Sequence, residues 1–399
     1  MRFTSFFREW RELSRFRSLS PEARSIVFYA EDGSSWNYFG PIVGELTGAF
    51  DKRICYVTSS TDDPILRKPA DGIRGFYIGS GSARTAFFST LEADVMVMTM
   101  PDLGTYHIKR SKVPVHYVYV FHSLISTHMS YRPGAFDQFD AILCTGPHHK
   151  EEIRAMETLL HLEPKVLVEA GYGRLDAILR SEGVAAGQAT SGKRGKQKVL
   201  LAPSWGPSSV LETHGSEVVE VLLGTGHDIT VRPHVMARRN RGKLLNQLQV
   251  RFGSRPNFTL DLSLASQGVM HEYDLLVADW GGSALEFAFG LERPVLFVDV
   301  PRKVFSPDYE QLGCIPMEVR VRSDIGEVVS PDALADIPGR IEKLFADPAA
   351  RRSRIQEARS RWVYNVGASG RVGAEYIARS SEEVRSGAGI AQRAIGADG

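Results

Sequence analysis

Residues Asp274–Pro301 read Asp-Leu-Leu-Val-Ala-Asp-Trp-Gly-Gly-Ser-Ala-Leu-Glu-Phe-Ala-Phe-Gly-Leu-Glu-Arg-Pro-Val-Leu-Phe-Val-Asp-Val-Pro, a pattern that leaves few folds open. Leu275–Ala278 and Pro294–Asp299 are too short and too evenly apolar for surface helices or half-exposed strands. Unbroken apolar runs of this length suit strands covered on both faces, as in parallel sheets, and parallel neighbours need a crossover helix. Gly281 and Gly282 are expected to let the backbone turn tightly where a side chain would clash. Ser283 stands where that helix starts, so its hydroxyl and the unpaired N–H groups of the first turn face the crevice at the strand end. Such a terminus attracts phosphate, because free donors and the positive dipole end point the same way. Glu286 reaches back as a cap or hydrogen-bonds a ligand hydroxyl. An ordinary βαβ turn with a capping Glu is the plainer reading of the same residues.

The rest of the chain repeats the theme. In the first half, strands are expected at Ser25–Ala30, Arg53–Thr58, Gly75–Ile78, Asp94–Met98, Val115–Phe121, Ala141–Cys144 and Lys165–Val168. Between Arg180 and Lys198 the composition shifts to Ser, Gly, Ala, Gln and Lys, an exposed linker by composition. A second set follows at Lys198–Ala202, Asp228–Arg232, Phe258–Asp261, Leu275–Ala278 and Pro294–Asp299, and Ala333–Trp362 reads as helix broken near Asp347-Pro348. A chain of 399 residues has room for two domains at roughly 150 residues each. The division expected is an amphipathic helix over 1–20, a Rossmann-like domain over 21–180, a linker over 181–197, a second Rossmann-like domain over 198–380 and a frayed tail over 381–399. Two doubly wound α/β domains facing a central cleft describe the GT-B architecture, with one long doubly wound domain as the rival.

The net charge of +1 excludes a nucleic-acid surface spread over the whole molecule. Cys55, Cys144 and Cys314 are widely separated and form no Cys-x-x-Cys pair; with two of them inside strand-like runs, they fit buried thiols in a reducing cytoplasm. No apolar run is long enough for a bilayer-spanning helix. Near the amino terminus, Phe3, Phe6, Phe7, Trp10, Leu13 and Phe16 recur at helical spacing, flanked by Arg2, Arg8, Arg11, Arg15 and Arg17. An aromatic stripe with an arginine-rich flank suits an anionic membrane surface on the inner face of the cell membrane. It equally suits a helix packed on the protein's own core.

Three strand ends carry chemistry-bearing residues: His122-Ser123, Arg232-Pro233-His234, and Asp279-Trp280-Gly281-Gly282-Ser283. On parallel strands these lie at the ligand-binding ends of their sheets. Arg232 offers bidentate phosphate contacts, and Pro233 fixes the turn beside it. Asp279 is expected to orient the glycine turn. No Asp-x-Asp metal motif occurs, and no motif calls for a divalent metal or another cofactor. Gly187–Lys193 matches most of a phosphate-binding loop, but Arg194 replaces the required hydroxyl residue and no strand precedes it.

Four segments resemble the CDP-glycerol glycerophosphotransferase family, the GT-B enzymes that build the poly(glycerol phosphate) of teichoic acids and related capsule polymers. Val118–Ser123 is similar to a segment ending in a His-Gly pair, and Gly171-Tyr172-Gly173-Arg174-Leu175-Asp176 to Gly-Tyr-Pro-Arg-x-Asp. Val199–Trp205 is similar to the strand Ile-Leu-Tyr-Ala-Pro-Thr-Trp, and Tyr273–Val298 to a segment built around Asp-Tyr-Ser-Ser and an Arg-Pro strand. Departures are Ser123 for Gly, the shifted proline of Arg232-Pro233-His234-Val235, and Gly281-Gly282 for Ser-Ser. The resemblance implies transfer of glycerol phosphate from CDP-glycerol to a hydroxyl of a glycan or lipid-linked acceptor, with release of CMP. It further implies His122 as general base, with His234, Arg232, Gly281, Gly282 and Ser283 holding the diphosphate beside Pro203 and Ser204. Glu286 would hold glycerol or ribose hydroxyls. A glycosyltransferase using a nucleotide sugar, or a non-catalytic nucleotide-binding module, fits the same residues.

Overall fold

A computed structural model describes residues 2–101, 103–105, 107–186, 196–263 and 270–387, and the expectations for 187–195 and 388–399 lie outside them. The chain forms two compact units. The first takes the chain through Ser123, then Tyr131–Ala177, and resumes at Val363; the second holds Leu124–Ser130 and Ile178–Trp362.

Both units are built on parallel sheets, the doubly wound class expected. In the first, β1 (Ile26–Ala30), β2 (Ile54–Thr58), β3 (Ile73–Tyr77), β4 (Val95–Met98), β5 (His116–Val120), β6 (Ala141–Cys144) and β7 (Val166–Glu169) lie in the order 3-2-1-4-5-6-7. In the second, β8 (Lys198–Leu201), β9 (Asp228–Val231), β10 (Phe258–Leu260), β11 (Leu275–Ala278), β12 (Val295–Val298) and β13 (Gly326–Val329) lie in the order 10-9-8-11-12-13. Each order reverses once, between β1 and β4 and between β8 and β11, the places where such sheets open a crevice at their carboxyl ends. The unbroken apolar runs are buried as their patterning requires: all five residues of β1 and of β2, and all four of β11 and of β12, lie inside. Cys55 and Cys144 sit within these strands, and burial pushes the Cys55 thiol up to about 12, so both behave as small apolar groups.

Four features differ from the sequence expectation. β13 is a sixth strand in the second sheet, where Gly326 comes so near the Val295 carbonyl that no Cβ fits. Helix Gly173–Ala186 continues past Ile178 into the stretch expected to be linker. Residues 363–380, expected with the second domain, belong to the first unit, and the tail expected to fray from 381 is helical through Ser386. That helix, Ser369–Ser386, is held because Asp176 accepts from the N–H groups of Gly367 (2.6 Å) and Ser369 (2.9 Å) and from the Ser369 hydroxyl. A carboxylate at a helix start satisfies orphan donors and meets the positive dipole end. Further along, Tyr376 bonds His116 at 2.9 Å, and Ser381 and Arg385 donate to Asp94.

The amino-terminal helix, Arg2–Arg17, packs on the first unit's core. Leu13 and Phe16 are buried against Phe76 and Phe87, which contributes about 1.5–3 kcal/mol for each side chain. Arg15 lies over the Phe76 ring and Arg8 over the Tyr77 ring. The stripe expected to be one face therefore splits: its carboxyl half is core, while Phe6 and Phe7 are 47% and 70% exposed. Among the described residues, no helix is long and apolar enough to cross a membrane.

In the second unit, Glu318 anchors Leu124–Ser130 by accepting from the Ser126 amide (2.9 Å) and the Ser126 and Ser130 hydroxyls (2.8 and 3.2 Å).

Gly171, first of the Gly-Tyr-Gly-Arg-Leu-Asp segment, adopts φ +95°, and a Cβ there would meet the Tyr364 carbonyl oxygen at 2.3 Å. Gly171→Ala is expected to destabilise the first unit by about 2–4 kcal/mol, read as a lowered urea midpoint at unchanged slope.

Candidate donor-binding site

The carboxyl end of β5 delivers His122, half-buried, among Tyr38 and Tyr131 with ring centroids at 6.2 and 5.8 Å. Its Nδ1 lies 3.1 Å from the Thr99 carbonyl and 3.4 Å from the Tyr119 hydroxyl. A carbonyl only accepts, so Nδ1 carries a proton and donates it to Thr99. Tyr172 donates its hydroxyl to the His122 carbonyl at 3.1 Å, so the Gly171–Asp176 segment fixes the backbone of this histidine.

In the second unit the sheet ends are organised by Asp279, which is 1% exposed. Its Oδ1 accepts from the Ser204 and Trp280 amides, both at 2.7 Å, and its Oδ2 from the Val210 amide at 2.9 Å. One carboxylate thus ties the end of β11 to the loop after β8 and to the start of helix Val210–Gly224. Asp279 has the orienting role expected of it. Trp280 follows, clamped by an indole bond to the Val300 carbonyl (2.7 Å) and by the Arg322 guanidinium 3.3 Å from its ring centroid. Arg322 in turn donates to Asp299 and to the Asp279 carbonyl.

The glycine turn is less strained than the sequence predicts. Gly281 has φ 165°, extended backbone open to any residue, and a Cβ would meet nothing nearer than the Ser204 Cβ at 4.0 Å. What its hydrogen preserves is open space beside Ser204, rather than a turn that other residues cannot make. Helix Gly282–Leu291 starts there, with Ser283 partly exposed in the first turn and Glu286 7% exposed in a stretch buried from Ala284 to Leu291.

Beside it lies a cavity of about 270 Å³ between the loops after β8 and β12, lined by Ser204, Trp205, Ser208, Ser209, Trp280, Arg302, Lys303 and Phe305. That volume is at the small end for ligand pockets and takes part of a nucleotide diphosphate. Pro203 is buried at the head of the first loop. His234 stacks on Trp205 with centroids 6.1 Å apart at 26°, and its Nδ1 accepts from the Met236 amide at 3.2 Å as cap of helix Val235–Asn240. Desolvation and then the charges of Lys303 and Arg238 hold its pKa below the ordinary value, so it is neutral at pH 7 and offers Nε2–H as a donor. Arg232 turns elsewhere: it is 9% exposed, donates to Asp261 at 2.9 Å and to the Tyr273 hydroxyl at 3.3 Å. Of the residues expected at the diphosphate, Ser204, Gly281, Gly282, Ser283 and His234 gather on these loops, whereas the Arg232 head group is engaged at the β9–β10 side.

The sequence reading passed over Arg302 and Lys303, although a basic pair in the loop after a fully buried strand is a signal akin to the one that singled out Arg232. Lys303 holds its Nζ 3.7 Å from the centroid of the Trp205 ring, and burial lowers its ammonium to about 8 against the opposing pull of Asp279.

No family model matches the chain, and no curated protein sequence matches it. Solved structures do. A variant of the wall teichoic acid polymerase TagF soaked with CDPG superposes with a TM-score of 0.58 at 14% identity, covering 94% of each chain. The MnaA–UDP co-structure from S. aureus gives 0.56 at 13%, covering 94% of this chain and 99% of that one. The UDP-GlcNAc 2-epimerase of Methanocaldococcus jannaschii, in complex with UDP-GlcNAc and UDP, gives 0.55 at 13%, covering 88% and 98%. The likeness is one of fold. Both sheets take part in it, so the expected pair of doubly wound GT-B domains is what the chain forms.

Asp279→Ala removes the acceptor of three backbone amides at once, two of them buried. It is expected to cost about 3–5 kcal/mol in the unfolding of the second unit, seen as a calorimetric transition shifted down while that of the first unit stays in place.

Proposed function

We propose that this protein is a transferase that moves a polyol phosphate, glycerol phosphate in the first instance, from a CDP-activated donor to a hydroxyl of an envelope glycan or lipid-linked acceptor, releasing CMP. The observation that carries this reading is the cavity at the β8–β11 reversal, with aromatic walls, a cation, and the amide-rich start of helix Gly282–Leu291 beside it. The four motif resemblances and the fold shared with a CDPG-soaked polymerase support the choice of donor.

Phosphoryl transfer asks for alignment and for compensation of charge more than for covalent help. In this mechanism the acceptor oxygen attacks the β-phosphorus, its proton goes to Nε2 of His122, and the bond to the CMP oxygen breaks. The Gly282 and Ser283 amides and the Ser283 hydroxyl hold the diphosphate, with Ser204 and the extended Gly281 leaving room for it. His234, neutral, donates Nε2–H to a phosphate oxygen, and Glu286 takes hydroxyls of the polyol or ribose. Arg232 acts at a distance, bracing the β9–β10 side through Asp261. We also propose that the exposed Phe6 and Phe7, beside Arg8 and Arg11, rest on an anionic lipid surface where such acceptors are found.

The direct test is CMP release from CDP-glycerol in the presence of a panel of saccharide and lipid acceptors. Release of UDP from UDP-sugars instead would move the protein to the nucleotide-sugar glycosyltransferases, and binding without turnover to the non-catalytic modules. His122→Ala is expected to lower turnover about 100- to 10,000-fold with little change in donor KM, and near wild-type turnover removes it as base. In vesicle flotation, Phe6→Ser with Phe7→Ser is expected to lose binding to anionic vesicles while keeping the parent melting temperature. Equal flotation of parent and variant rules that contact out.

A further inference from the structure

The mechanism above assigns no cation to the donor's phosphates, since His234 is neutral and Arg232 is engaged with Asp261. Arg302, which also lines the cavity, and Arg232, Arg238 and Arg322 on neighbouring segments each donate to an oxygen of the unit itself. Lys303 differs. It has no hydrogen bond or ion pair among the described residues, and its Nζ rests on the Trp205 ring at 3.7 Å and near the Phe305 ring at 5.2 Å. We propose that Lys303 is the cation that neutralises the donor's phosphates, leaving the face of Trp205 for them when the donor binds. This deepens the donor-site reading above and rests on it.

Three observations point the same way. Lys303 lines the same cavity as Ser204 and Trp280, and Ser204 adjoins Gly281, the residue before helix Gly282–Leu291. A cation held on a ring face in a partly desolvated setting is retained weakly enough to exchange for a charged phosphate oxygen, whose bond is stronger. The nearby anion, Asp279, spends both oxygens on three amides, so it attracts Lys303 without pairing with it. The depressed ammonium pKa fits a charge that no partner yet compensates. The groups facing Lys303 are Asp279 from β11, His234 from the cap after β9, and the neighbouring Arg302.

The test is calorimetric titration of CDP, UDP and cytidine into the full chain at pH 7, repeated at pH 9. Lys303→Met is expected to weaken binding of whichever diphosphate the wild type takes about 10- to 100-fold and to leave cytidine binding unchanged. Lys303→Arg should restore diphosphate affinity and abolish the loss that the wild type shows between pH 7 and 9, as its own ammonium discharges. Diphosphate binding should alter tryptophan emission in the wild type and not in Trp205→Phe. Unchanged diphosphate affinity in Lys303→Met overturns the assignment of Lys303 and leaves the donor reading standing. A wild type that binds neither diphosphate overturns both.

Discussion

Three backbone amides converge on one buried carboxylate, and the second unit's ligand edge depends on that convergence. A loop that turns back from a parallel strand has polar backbone groups that no ladder satisfies. Asp279 satisfies those of Ser204, Trp280 and Val210 together. It thereby ties the β8 loop to the β11 end, and both contribute to the lining of the cavity through Ser204 and Trp280. The clamp continues outward, since the Asp279 carbonyl takes Arg322, which stacks on Trp280 and reaches Asp299 at the end of β12. Backbone and side chain of one residue thus join three strand ends.

The electrostatics of the site follow from what its charged groups have already been given. Arg232 has a carboxylate and a phenol, and Arg322 a carboxylate and a carbonyl. His234 spends one nitrogen on capping a helix, and burial, followed by the cations beside it, keeps the ring neutral. His122 likewise spends one nitrogen on a carbonyl, which places a proton on Nδ1. In both histidines the structural bond determines what the remaining nitrogen does.

Much of this was legible in the residues. Short apolar runs placed twelve of the thirteen strands within a residue or two, because strands buried on both faces carry no alternation to confuse them. Gly326–Val329 escaped because it is brief, starts with glycine and contains Glu327, an edge-strand composition that reads as loop. The destination of helix Ser369–Ser386 could not be read. Its small buried residues, Gly370, Gly373 and Ala374, announce close packing without saying against which domain. Arg232 shows the limit at the site: a strand-end arginine looks like a phosphate arm until Asp261, twenty-nine residues on, is found beside it. Gly281 shows another, since a Gly-Gly pair implies a turn only glycine can make, whereas the backbone there is extended.

The first unit is sewn from three stretches of chain, the last of which begins at Val363. Its closing helix carries the partners of Asp176, His116 and Asp94, so those polar groups wait for Ser369–Ser386 to emerge during synthesis. The intervening stretch, which holds nearly all of the second unit, leaves the ribosome first. The order of completion therefore inverts the order of translation: the half begun earlier is the half finished later, and its sheet stays partly uncovered for most of the time the polypeptide is being made.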